Sequence, residues 1–373
     1  MPNRSKGARL YWRERKDRAS FWEIRDGTTR TSTGTDDRRQ AEIVLAEYIE
    51  RKNRPTGPTR AEELSVSMAL SIYGEEHAMH VSSPERIGYA IEALDTFWGN
   101  LTIADVKGAT CRRYAASRKN ARTGEPVSPG TIRRELNVLQ AAINYCNREG
   151  YLLDAPKVTM PPKPAARERW LTRQEASWLL RAARSLNRDG RHLADFILCG
   201  LYTGSRKQTI LALQIDQPNI LGGHIDTSAG VLYRRAQGKV ETKKRQTPAR
   251  LPARYLAHIR RQAANGRRYV VERRRIIGGQ EHRTMVANIR KGWVHAVELA
   301  PALARKHGVE IDLTGVTPHT LKHTAITWAL QRGASVWDAA GFFGTSAETI
   351  ERVYGHHSPQ HQQSAVEAMN RRM

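Results

Sequence analysis

Four short stretches in the second half of the chain carry residue types that could act on a phosphate or another anion. The first is Tyr202-Thr203-Gly204-Ser205-Arg206, followed by Ile210, Leu211 and Leu213. A Thr-Gly turn into an amphipathic helix sets Arg206 near a helix N-terminus, where backbone N–H groups also favour negative charge. A guanidinium there can grip two phosphate oxygens at once. The second stretch, Glu241-Thr242-Lys243-Lys244-Arg245, reads as the turn of a hairpin with arms at Val231-Leu232-Tyr233 and Gln246 to Leu251. A lysine at such a tip can reach into a groove and donate a proton, although solvated charge is the plainer reading of Lys243 and Lys244. The third, Thr317-Pro318-His319-Thr320-Leu321-Lys322-His323-Thr324, opens a helix with Thr317 as cap and Pro318 in first position. His319 and Lys322 then share a face of its first turn. The fourth is Gly344-Thr345-Ser346-Ala347-Glu348, then Ile350, Val353, Tyr354 and Gly355. Thr345 to Glu348 has the form of a capping box. Tyr354 closes the helix before a glycine that permits chain reversal, and taken alone it continues the apolar face begun by Ile350.

Composition bounds what must hold these residues. A chain of 373 residues suffices for two or three compact domains. Its 61 Lys+Arg against 37 Asp+Glu give a formal charge of +24, and the sequence pI is near 10.4. The commonest partner of such a field is a polyphosphate. No apolar run approaches the ~18 residues of a spanning helix. Met1-Pro2-Asn3-Arg4 is not followed by the apolar stretch of a secretory signal. Cys111, Cys146 and Cys199 are odd in number, far apart and matched to no metal spacing. The expectation is a soluble, cytoplasmic protein of a reducing compartment, without a disulfide framework.

Residues 1–55 read as a small unit of three strands and a helix. Leu10-Tyr11-Trp12 and Phe21-Trp22-Glu23-Ile24 are strand-like runs, Thr28 to Thr35 supplies a third, and Asp26-Gly27 marks a turn. Ile43, Val44, Leu45, Ala46 and Ile49 recur with helical spacing between Asp37 and Lys52. Trp12 and Trp22 fit either the core of that sheet or a face that meets a polyphosphate. Arg54-Pro55-Thr56-Gly57-Pro58 is a linker, and residues 60–155 read as almost wholly helical. Ser128-Pro129 opens the clearest helix, with Ile132, Leu136, Leu139 and Ile143 on one face and Gly150 as the stop. Arg133, Arg134 and Arg148 lie off that face, where they could meet phosphates or simply be solvated. A second Pro-rich stretch runs from Ala155-Pro156 through Pro164. Thr172-Arg173-Gln174-Glu175 then caps the first helix of a mixed region, residues 168–360, and a tail covers 361–373.

In their order and spacing, the four stretches resemble the catalytic domain of the tyrosine recombinases, the phage-integrase family. That domain carries an Arg in Thr-Gly-x-Arg, a hairpin Lys, His-x-x-Arg, then Gly-His with a Tyr nine residues after that His. Arg206 takes the first position, Lys243 best fits the second with Lys244 a close rival, and His319 the third. Lys322 stands where the second Arg is usual, Thr345 where His or Trp is usual, and Tyr354 at the nucleophile. The His319-to-Trp328 run, the Gly333 turn and the ending Tyr354-Gly355-His356-His357 are also similar to the family. Lys322 keeps the charge of the expected Arg but loses its bidentate fork, and Thr345 lacks the ring of an imidazole or indole.

The resemblance implies a mainly α fold with small β-sheets. It implies an arm-type DNA-binding domain at 1–55, a helical core-binding domain at 60–155, and a catalytic domain at 168–360. It also implies site-specific recombination of double-stranded DNA attachment sites, without metal, ATP or another cofactor, by four protomers on DNA with bending or directionality factors. In that chemistry the Tyr354 phenol forms a 3′-phosphotyrosine, and His319 takes its proton or orients the phosphate. Arg206 and Lys322 stabilise the transition-state charge, and Lys243 protonates the leaving 5′ oxygen. His356, His357 and His361 imitate a metal site, but a polar tail is the favoured reading. Two rivals remain: a DNA-binding regulator on the same scaffold, favoured by Lys322 and Thr345, and an enzyme resembling the type IB topoisomerases.

Overall fold

The computed structural model describes residues 7–15, 19–52, 58–81, 83–164, 169–186, 190–220, 222–238, 246–355 and 369–370. They fall into two compact units, residues 1–165 and 166–373.

The first unit begins with strands β1 (Arg9–Arg13), β2 (Phe21–Asp26) and β3 (Thr29–Ser32), antiparallel in that order, and helix α1 (Arg38–Lys52). Alternation along the sheet buries Ile24, and Ala41 of α1 is buried as well. The inward stripe of α1 is Ala41, Val44, Leu45 and Tyr48, the i, i+3, i+4, i+7 pattern. Ile43 and Ile49, expected on the apolar face, point outward, because a three-stranded sheet covers only one narrow side of the helix. Trp12 and Trp22 face each other edge-on at 5.1 Å. Trp22 Nε1 donates to the Asp36 carbonyl at 3.0 Å and so ties sheet to helix, whereas the Trp12 ring stays exposed.

The rest of this unit is α2 (Val66–Glu76), α3 (Pro84–Trp98), α4 (Gly108–Ser117) and α5 (Pro129–Arg148), packed around Leu70, Leu94, Trp98 and Tyr114. Ser128 caps α5 through the Thr131 N–H, and Ile132, Leu136, Leu139 and Ile143 are buried as their spacing predicts. The Pro-rich stretch after α5 is bound to that helix. Gln140 donates to the Pro156 carbonyl and accepts the Val158 N–H at 2.7 Å. Arg133 is engaged here too, donating to the Pro161 carbonyl at 2.6 Å.

The second unit comprises α6 (Arg173–Ser185), α7 (Gly190–Thr203), α8 (Lys207–Leu211), β4 (Gln214–Ile215), β5 (His224–Asp226), β6 (Val231–Tyr233), β7 (Ala249–Arg250), α9 (Ala253–Ala264), β8 (Glu272–Ile277), β9 (Gln280–Met285), α10 (Arg290–Arg305), α11 (Thr320–Leu330), α12 (Val336–Phe343) and α13 (Ala347–Tyr354). Strands β4 to β7 form one sheet in sequence order, with β6 and β7 antiparallel as expected for the hairpin. Its turn, with Lys243 and Lys244, lies outside the described residues, as do His356, His357 and His361. The β8–β9 ribbon was not foreseen. Its signal is Gly278-Gly279, both at positive φ (57° and 80°), as a two-residue hairpin turn needs.

Thr172 and Glu175 form the expected capping box of α6. The Leu171 N–H donates to Thr324 Oγ1 and Trp328 Nε1 donates to the Leu171 carbonyl, at 2.9 and 3.0 Å, which fixes α11 against the start of α6. Two cap assignments shift. Helix α11 starts at Thr320 rather than just after Thr317, because the Thr320 hydroxyl folds back to accept the Thr317 N–H at 3.0 Å. Helix α13 is capped by Ser346, not Thr345. Gly344 adopts the left-handed conformation (φ 61°), and its N–H and that of Thr345 both donate to the Ala340 carbonyl. Thr345 therefore belongs to the closing turn of α12.

Candidate active site

The Thr203–Arg206 turn is built by its own side chains. Thr203 is fully buried; its hydroxyl donates to the Cys199 carbonyl at 2.6 Å and accepts the Ser205 N–H at 3.2 Å. Gly204 has φ +57°, and a Cβ there would stand 2.4 Å from Phe343 Cδ1. Only glycine combines that conformation with that approach. The turn delivers Arg206 to the N-cap of α8, with extended backbone and a half-buried side chain.

Behind Arg206 lies a residue that pattern reading missed, Arg234, just past β6. It is 6% exposed, and its guanidinium donates to Ser205 Oγ (3.2 Å) and to the carbonyls of Thr203 (3.0 Å) and Thr247 (2.7 Å). One side chain thus joins the Arg206 turn to the β6–β7 hairpin. Its signal in the sequence was slight, one Arg among many. Burial, with Arg206 adding, lowers its pKa to about 10.

Lys322, in the first turn of α11, is 7% exposed and donates to the Phe343 carbonyl at the end of α12, at 2.8 Å. A cation suits that helix terminus. Burial, then Arg206 and Arg234, lowers the Lys322 pKa to about 7. His319 stands exposed at the rim, and its pKa too is lowered, by desolvation, Lys322 and Arg206. Among the described residues, no carboxylate contributes to either shift. A buried cation without an acidic partner is costly, and an anion brought among these four groups would offset that cost.

The Tyr354 ring belongs to the small core of Ile326, Leu330, Phe343 and Ile350, so the apolar reading of its position holds for the ring. Its hydroxyl does something else: it hydrogen-bonds His323 Nδ1 at 2.7 Å. His323 in turn meets the His319 ring edge-on at 4.8 Å. Burial raises the Tyr354 pKa to about 12. Burial, then His319 and Lys322, lowers that of His323 to about 4. His323 was quoted in the sequence motif but given no role there. Its place one residue after Lys322 turns it toward α13, and that becomes visible only when α13 is packed.

Arg206, His319, Lys322 and Tyr354 are therefore gathered at one place, and Arg234 and His323 join them. Thr345 lies near by in sequence to Phe343, in the turn between α12 and α13.

Comparison with solved structures agrees with this architecture. The Tn1549 transposon integrase in complex with a circular intermediate DNA superposes with a TM-score of 0.60 at 15% identity, over 82% of this chain and 99% of that one. A lambda integrase dimer bound to a COC′ core site gives 0.55 at 15% identity, over 92% and 93%. The shufflon-specific DNA recombinase of Escherichia coli is 27% identical over 185 residues, 47% of this chain and 44% of that protein. The match thus spans less than half of the relative's length. No model of a known protein family matches the chain. The fold is that of the tyrosine recombinases. Within it, the similar structures named here are integrases, one of a transposon and one of lambda.

Proposed function

We propose that this chain is a site-specific DNA recombinase of a mobile genetic element, cutting and rejoining DNA through a 3′-phosphotyrosine at Tyr354. The observation that carries the reading is the pairing of a hydrogen-bonded, buried phenol with a neighbouring cluster of cations whose shifts, among the described residues, owe nothing to a carboxylate. A scissile phosphate supplies the missing negative charge. Arg206 grips its oxygens, Lys322 adds a point charge, and His319 orients it from the rim. Arg234 keeps the Arg206 turn in place. Tyr354 Oη attacks phosphorus, the 5′ oxygen leaves, and Lys243 or Lys244 supplies the proton it needs. The energy of the phosphodiester stays in the protein–DNA bond, and the reverse attack by a 5′ hydroxyl rejoins the strand. In this reading residues 1–55 bind arm-type DNA, 60–155 bind the core site, and 168–360 carry the chemistry. Four protomers assemble on two sites, with the tail 361–373 available to neighbours.

The experiment is covalent trapping on a pool of nicked, random-sequence duplexes, in which loss of the fragment beyond the nick makes cleavage irreversible. A denaturation-resistant adduct with the wild type and none with Tyr354→Phe supports the recombinase. The engagement of Lys322 with the Phe343 carbonyl favours a second reading, a DNA-binding regulator; tight duplex binding with no adduct would select it. Relaxation of supercoiled DNA without site preference would select a topoisomerase-like enzyme.

A further inference from the structure

The recombinase reading leaves open where the phenol proton goes, and the inference here rests on that reading. We infer that His323, rather than the motif residue His319, is the catalytic group that accepts the proton of Tyr354. Among the described residues, the one hydrogen-bond partner of Tyr354 Oη is His323 Nδ1, at 2.7 Å, inside the reach required of a general base. The His323 and Tyr354 rings are 5.5 Å apart and tilted by 40°. His319 touches His323, so the order of groups from the phenol outward is Tyr354, His323, His319.

The charges around His323 leave its lone pair unprotonated in the resting protein, though they also weaken it as a base until a phosphate offsets them. His319 and Lys322 face it from its own helix, Tyr354 faces it from α13, and Arg206 acts on both His319 and Lys322. These cations and burial keep His323 neutral at neutral pH, so its Nδ1 lone pair is available in the tautomer with the proton on Nε2. In the free protein the proton stays on the phenol, whose own burial opposes ionisation. A phosphate changes this balance. As the Oη–P bond forms, negative charge passes to the phosphoryl oxygens beside Arg206 and Lys322, so no free phenolate has to accumulate. The phenol proton passes to Nδ1, the P–O5′ bond breaks, and O5′ takes a proton from Lys243 or Lys244. On rejoining, each proton returns by the same route.

The test uses a duplex captured from the random pool and measures single-turnover adduct formation by the full chain. For His323→Ala the account expects a loss of about 100-fold or more, unchanged duplex affinity, and partial recovery when imidazole is added to the buffer. Replacing Tyr354 with 3-fluorotyrosine, a more acidic phenol, should shrink the defect of the variant. A structural role would give neither recovery. His323→Asn is the companion variant if alanine lowers the melting temperature. A rate within about three-fold of wild type, or a loss that tracks duplex affinity and responds to neither imidazole nor fluorotyrosine, would overturn the assignment while leaving the recombinase intact. No adduct with wild type would overturn both.

Discussion

Each unit buries a tyrosine against a polar partner, and the two sites treat charge in opposite ways. In the first, Tyr114 donates to Glu135 at 2.7 Å, and Arg118 closes the set by pairing with the same carboxylate at 3.0 Å. Donors, acceptor and charges are balanced within α4, α5 and the residue after α4. In the second, Tyr354 meets an imidazole, and among the described residues Lys322 and Arg234 donate only to neutral acceptors, with the Arg206 cation beside them. The balanced set is a structural device that links two helices. On the recombinase reading a phosphate completes the unbalanced one, and the perturbed pKa values there bear on function where that of Tyr114 does not.

The largest contrast comes from removing each hydroxyl. Tyr354→Phe should abolish the covalent adduct while the ring keeps the α13 core and the melting temperature close to wild type. Tyr114→Phe should leave adduct formation within a few-fold and reduce stability by about 1–3 kcal/mol, because a buried carboxylate loses a donor; denaturant unfolding measures this. Next, Arg206→Ala should slow adduct formation by about 10²–10³-fold, as for loss of one transition-state donor.

Substituting the charges should separate the sites by sign. Glu135→Gln should destabilise by about 1–3 kcal/mol, the partial exposure of Arg118 moderating the loss. Lys322→Met should instead be stabilising by about 1–3 kcal/mol near pH 6, at the expense of adduct formation. Its pH dependence follows from a folded pKa of about 7, below the ordinary ~10.4 of an unfolded lysine. The burial penalty is complete below the folded value and vanishes above the unfolded one, so wild-type stability gains from this group between them. The advantage of Lys322→Met should therefore fade from pH 7 toward pH 10, and a constant difference would contradict the assignment. By the same linkage, duplex binding at pH 8 should take up a proton, seen by calorimetry in buffers of different ionisation enthalpy. Two further substitutions concern the turns. Gly204→Ala should cost about 1–3 kcal/mol through its clash with Phe343. Gly150→Ala, at φ +81° with open space around it, should cost about 1 kcal/mol.

How much of this was legible in the sequence follows the same division. Local signals were readable: the Ser128 and Thr172 caps, the apolar face of α5, the β6–β7 hairpin and the three N-terminal strands each depend on neighbours a few residues away. Cap positions at Thr317 and Thr345 were misplaced by one or two residues, because a side chain folding back or a left-handed glycine decides them. Arg206, His319, Lys322 and Tyr354 were singled out by the order and spacing of the motif they resemble, and the structure brings them together. The contacts of Arg234 and His323 were not legible, since they depend on a hairpin meeting a turn and on α13 meeting α11, which no local pattern encodes. Outward-facing Ile43 and Ile49 show the converse, helical periodicity without a partner surface wide enough to cover it.

The central claim is that Tyr354 is the residue that becomes joined to DNA. Proteolysis of the trapped adduct followed by mass spectrometry of the nucleotide-bearing peptide tests it most directly. The account predicts a 3′-linked nucleotide phosphate on Tyr354. A nucleotide on any other residue, or an adduct that survives Tyr354→Phe, would contradict it.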